Sequence, residues 1–112
     1  MCLRCTGTYS LAELKRVYQS AVDAALEYDR YRVLIDANGL TGHIPTIERF
    51  ETSKFLAEQI RQRALGKITR ISVVAQEPLI DKSHFGETVA RNRGVNGKAT
   101  TSIDEAVAWL SL

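Results

Sequence analysis

Asp36 closes the apolar run Val33-Leu34-Ile35, and Asn38-Gly39-Leu40-Thr41-Gly42-His43 follows, then Pro45, Thr46 and Arg49. A carboxylate and an imidazole in one stretch could act as general acid and base, with Arg49 or Arg91 steadying a negative charge. The same stretch offers a second chemistry, because a glycine loop leading into a helix can present backbone N–H groups to an anion. Its spacing is neither the G-x-G-x-x-G of dinucleotide sites nor a P-loop. A third reading is structural: Gly39 and Gly42 serve turn geometry, and Asp36 caps or turns the chain. The sequence leaves these three open.

Two further groups have chemical character. Cys2 and Cys5 form a C-x-x-C pair at the start of the chain. Zinc needs four ligands, and no second pair is present; a redox pair belongs where a strand hands over to a helix. On a strand, residues three apart point to opposite faces, so the two thiols are expected to act separately, and no metal is expected. Arg91 and Arg93 belong to a basic second half. Residues 1–60 carry 7 Lys/Arg against 8 Asp/Glu, whereas residues 61–112 carry 8 against 5. These two arginines could form a shallow anion site, or lie on an ordinary solvated surface.

The elements that must position these residues alternate between strand and helix, the pattern of an α/β layer fold. Residues 2–8 read as a short strand. Ser10 can cap the first helix, with Glu13 completing a capping box. Leu11, Leu14, Val17, Tyr18, Ala21, Val22, Ala25 and Leu26 give that helix one apolar stripe, ending near Tyr28-Asp29. Residues 31–37 form the next strand, whose unbroken apolar centre marks burial on both faces. Asn38-Gly39 turns the chain. Pro45 suits the first turn of the second helix, which runs to about Leu65-Gly66 with Ile47, Phe50, Ala57, Ile60 and Ala64 inward and Phe55 and Leu56 flanking. Residues 68–75 form the third strand, followed by Gln76 and Glu77. A third helix opens over Ile80–Phe85, with Phe85 and Val89 inward, and ends near Gly94. A short strand at Lys98-Ala99-Thr100 follows. Ser102, with Glu105, caps a last helix packed down by Ile103, Ala106, Val107, Trp109 and Leu110. Connections of this length make neighbouring strands parallel.

Composition sets the outer limits. The 112 residues, 45% apolar and 25% charged, suit one domain over residues 1–112 with a single core. No apolar run approaches the roughly 20 residues of a membrane span, and the N-terminus does not read as a signal peptide. Free thiols fit a reducing, cytoplasmic setting. A net charge of +2 gives no reason to expect nucleic acid.

The chain resembles the STAS domain family, in its SpoIIAA-like branch. The likeness rests on the Gly7-to-Ser10 entry into the first helix and on Val33-Leu34-Ile35-Asp36 followed by a glycine loop and a Pro-led helix. The strand at 68–75, the segment Phe85-Gly86-Glu87-Thr88-Val89-Ala90 and the closing Asp104-Glu105-Ala106-Val107-Ala108-Trp109-Leu110 extend it over nearly the whole chain. The resemblance implies a mixed, mainly parallel sheet of four or five strands with about four packed helices, and no cofactor. It also implies binding of a protein partner or a small ligand rather than catalysis. In the anti-sigma-factor antagonists of the family, a serine at the start of the second helix is phosphorylated. The corresponding His43-Ile44-Pro45-Thr46 has no serine, which leaves Thr46 as the hydroxyl for such a switch. Family members usually begin with one more strand. Its absence would leave a sheet edge for a partner, or for a second copy in a homodimer.

Three functions therefore stand. The favoured one is a non-enzymatic module that binds through the loop and the start of the second helix: Asp36, Asn38, Gly39, Thr41, Gly42, His43, Thr46 and Arg49. The second is a carrier of a lipid or other small hydrophobic or anionic ligand in an interhelical groove. The third is a small enzyme using Asp36 and His43. No nucleophile with a neighbouring base, no metal cluster and no cofactor fingerprint supports the third.

Overall fold

Why the chain alternates is visible at its serines. Ser10 sits in extended backbone and its hydroxyl accepts from Glu13 N at 3.2 Å; Ser102 accepts from Glu105 N at 3.1 Å. Each satisfies an orphan amide and starts a helix. The expected box is only half formed at the first, because the Glu13 carboxylate turns to Arg16 at 2.6 Å. The computed structural model describes residues 1–80 and 85–112. In chain order the elements are β1 (Cys2–Thr8), α1 (Leu11–Glu27), β2 (Arg32–Thr41), α2 (Thr46–Arg63), β3 (Arg70–Val74), α3 (Phe85–Asn92), β4 (Gly97–Thr100) and α4 (Ile103–Leu110). The expected opening of the third helix at residues 81–84 lies outside the described residues, as does the side chain of Phe85.

The four strands form one sheet in the order β1-β2-β3-β4, and every pair is parallel. The sheet of the described residues is thus wholly parallel rather than mixed. A helix in each connection carries the chain back to the end where it started, so no strand reverses.

Strand alternation divides the core in two. Val33, Ile35 and Ala37 of β2, with Ile71 of β3 and Ala75 just beyond it, face a layer of α1, α2 and α3. The predicted stripe of α1 is the one buried, through Leu14, Tyr18, Ala21, Val22 and Ala25. Leu34 and Val74 face the other way, where α4 covers them with Ala106 and Leu110. Arginines at the start of β2 and β3 hold the far end of α4. Arg70 donates to Trp109 O at 2.6 Å and lies 5.4 Å over its ring, and Arg32 donates to Leu110 O. Cations at these carbonyls oppose the negative end of the helix dipole. Among the described residues no helix lies beside α4, and Ile103 and Val107 are exposed, contrary to the sequence expectation that both pack inward.

Asn38-Gly39 does not turn the chain. β2 runs on to Thr41, and its partnership with β1 shifts from Arg4↔Asp36 to Thr6↔Gly39. Two residues of β1 thus span three of β2, a bulge. Asp36 Oδ1 accepts from Asn38 N at 3.1 Å and stabilises the irregularity. A Cβ on Gly39 would lie 2.6 Å from Thr6 Cγ2, so glycine permits the close approach of β1. The turn comes at Gly42, whose φ of +110° is one that L side chains rarely adopt.

Candidate functional site

The buried face of α2 differs from the predicted stripe. Ile47 is 70% exposed, while Thr52, Leu56, Ala57 and Ile60 are buried. Steps of three and four from Ile60 lead through Leu56 to Thr52 and Ser53 and then to Arg49. The inward face is therefore apolar in its C-terminal half and polar in its N-terminal half. Under the polar half lies a cavity of about 110 Å³. Its floor is Ala37, Ile71, Val73, Ala75 and Ala99 of the sheet face, and Leu14 and Tyr18 of α1, Leu56 of α2 and Ala90 of α3 wall it. Leu40 near the end of β2, with Ile44, Leu79 and Ile80 beyond the strands, lines the end where parallel α/β sheets gather ligands.

The polar groups on this apolar wall are few. Tyr18 is only 8% exposed as a residue, but no described residue bonds its hydroxyl, and because every fully buried side-chain polar atom of the described residues has a partner, that oxygen is an accessible one. Burial pushes its pKa up to about 12; Cys5 adds to the rise and the charge of Arg49 opposes it. Thr52 spends its hydroxyl on Glu48 O and Arg49 O. Ser53 adds a hydroxyl on the wall. Arg49 is fixed by the turn after β3, donating to Leu79 O and Pro78 O at 2.6 Å each. Leu79 N and Ile80 N both bond to Gln76 O, which aims those carbonyls. No carboxylate pairs with Arg49 among the described residues. Glu48 instead accepts from the Tyr9 hydroxyl at 2.9 Å, Glu87 on the wall is engaged by Arg91 at 3.2 Å, and Lys98 by Glu105 at 3.3 Å. The arrangement can receive a hydrogen-bond acceptor or an anion at one end of an apolar space.

Of the residues singled out from sequence, Arg49 alone borders this cavity. Asp36 lies on the face covered by α4, 3.7 Å from Arg4. Asn38 accepts from Gln76 Nε2 at 2.8 Å, and Gln76 reaches on to Thr101 O at 3.2 Å. This network ties the strand ends together. Thr41 donates to Gly7 O at 3.2 Å, and Gly42 packs near Tyr9. His43 is exposed beyond the strand. About 16 Å of strand separates Asp36 from Thr41, so Asp36 and His43 are not brought together as an acid–base pair. Thr46 is exposed at the first position of α2. Arg91 is paired with Glu87, while Arg93 lies 5.2 Å over the Phe50 ring, so the two do not converge on one anion site. Cys2 is exposed and Cys5 packs against the core, as separate free thiols.

Sequence reasoning missed Tyr18, Ser53 and Leu79. The readable signal was polar residues, Arg49, Thr52 and Ser53, at helical spacing from Leu56 and Ile60, together with a tyrosine hydroxyl inside an apolar stripe. Among the described residues no helix is long and apolar enough to cross a membrane, and no group of three or more His, Cys, Asp or Glu could hold a metal ion. No protein-family model and no curated protein matches the sequence, so the reading of the site rests on its own chemistry.

Proposed function

We propose that this protein is a binding module of the STAS type that holds a small apolar molecule in the cavity beneath α2 and does not transform it. The observation that carries this is an apolar pocket of about 110 Å³ bordered at one end by Arg49, which no carboxylate of the described residues pairs, with Tyr18 on its wall. An apolar pocket with a few placed polar groups is the usual form of a small-molecule site. The Asp36 carboxylate and the His43 imidazole lie elsewhere, and Glu87 is engaged, which favours binding over proton-transfer chemistry. The STAS assignment is supported by the β-α element order and the Pro-led second helix. Native mass spectrometry before and after denaturation tests the reading. A bound small molecule released on denaturation, or saturable uptake of toluene by the purified protein, is the expected result. Failure to take up any apolar ligand would overturn it.

A second reading uses the same end of α2 as a protein-docking switch, and the exposure of Thr46 favours it. A phosphate there would meet the positive end of the helix dipole. Thr46→Glu should then alter partner binding, and an unchanged affinity would dispose of the switch.

A further inference from the structure

We propose that the ligand of the cavity is a small monocarboxylate with an apolar body about the size of a benzene ring, its carboxylate received by Arg49 and the Tyr18 hydroxyl. The proposal rests on the cavity being a ligand site and names the chemistry that site selects.

Size comes first. An engineered apolar cavity of about 150 Å³ accepts benzene, and the cavity here, at about 110 Å³, is of the same order. A long acyl chain does not fit within it, whereas one ring or a short branched chain does. Charge comes second. Glu87 and Lys98 on the wall each have an oppositely charged partner, but among the described residues Arg49 is held only by backbone carbonyls. A guanidinium set in a partly buried wall without a counter-ion is completed by an anion, and its planar fork matches a carboxylate. Two of its N–H groups are used on Pro78 and Leu79, and no other described residue takes the rest. Hydrogen-bond sense comes third. Tyr18 lies within the field of Arg49, and no described residue accepts from its hydroxyl, which is open to a ligand. Ser53 adds another hydroxyl. The guanidinium and both hydroxyls can donate, so the recognised group is an acceptor. A cationic or donor-rich head would meet Arg49 unfavourably.

Calorimetric titration of the intact protein with benzoate and with toluene separates this inference from the reading beneath it. Benzoate should bind at least about tenfold more tightly than toluene, since a charge-assisted hydrogen bond contributes about 1.5–3 kcal/mol. Arg49→Met should remove most of that advantage and leave toluene within about twofold. Tyr18→Phe should weaken benzoate about three- to tenfold with toluene again unchanged. Because Arg49 also anchors the turn at Pro78, the Tyr18→Phe variant provides the decisive comparison if Arg49→Met fails to fold. Toluene binding as tightly as benzoate, or full benzoate affinity in Tyr18→Phe, overturns the inference while leaving an apolar ligand site standing. Binding of neither compound overturns both.

Discussion

Replacing Ala75 by valine should make the unliganded protein more stable. Ala75 lies on the cavity floor and is 3% exposed, and its N–H donates to Thr100 O at 3.2 Å, so its backbone continues the extended ladder of β3. A β-branched side chain suits that geometry. Valine adds two carbons, each contributing about 0.8 kcal/mol when buried, for a gain of about 1.6 kcal/mol. With an unfolding entropy of about 2.1 cal/mol/K per residue, that gain raises the Tm by roughly 7 °C. Urea unfolding followed by circular dichroism reads the change directly, with the midpoint rising at constant m. The same variant should lose toluene binding, because the added methyls occupy the ligand's place. A loss of stability of 1 kcal/mol or more, the signature of overpacking, would refute the argument: the walls would already be in contact and no room would exist.

Three further outcomes follow from particular contacts. Tyr18 ionises near 10 in an unfolded chain and near 12 when folded, so the native state keeps a proton that the unfolded state releases. Its contribution is therefore intact below about pH 10 and falls by up to about 2.7 kcal/mol as pH rises to 12; Tyr18→Phe should flatten this alkaline decline in stability-versus-pH measurements, and an unaltered slope would count against the assignment. Gly39→Ala places a Cβ 2.6 Å from Thr6 Cγ2 and should cost about 1–3 kcal/mol, with Thr6→Ala recovering part of that loss in a double-mutant cycle; additive losses would mean that the clash is relieved elsewhere. Arg70→Met removes the bond to Trp109 O and the cation over its ring, so emission from the single tryptophan should shift red as α4 loosens, and an unchanged spectrum would show that Ala106 and Leu110 hold the helix unaided.

What the sequence disclosed is what local periodicity encodes. The stripe on α1 and the serine starts of α1 and α4 depend on residues three or four apart, and those survive folding unaltered. Asn38-Gly39 misled because the pair that turns a hairpin also suits a bulge, and only the neighbouring β1 decides between them. Ile47 misleads because an apolar side chain near a helix start reads as buried, while the line through Ile60, Leu56 and Thr52 runs past it to Arg49. The exposed flanks of α4 reflect the lack, among the described residues, of a second helix on its side of the sheet, which no pattern within residues 103–110 records. The cavity was beyond a linear reading for the same reason. Tyr18, Arg49 and Leu79 are separated by some thirty residues each, and each looks ordinary in its own segment.

The strands lie side by side in the order in which they are made. During synthesis each new βα unit meets an edge already in place, and no later strand has to be inserted between earlier ones. Growth of this kind keeps the contacts close in sequence, which favours rapid folding, and it lets the N-terminal part order before the rest has emerged. The exception is the face covered by α4. Leu34 and Val74 are laid down early, but Ala106 and Leu110 reach them only at the end. Until then the nascent sheet carries a bare apolar face, and any slowing of translation between β3 and α4 lengthens the time in which that face can be captured by another chain.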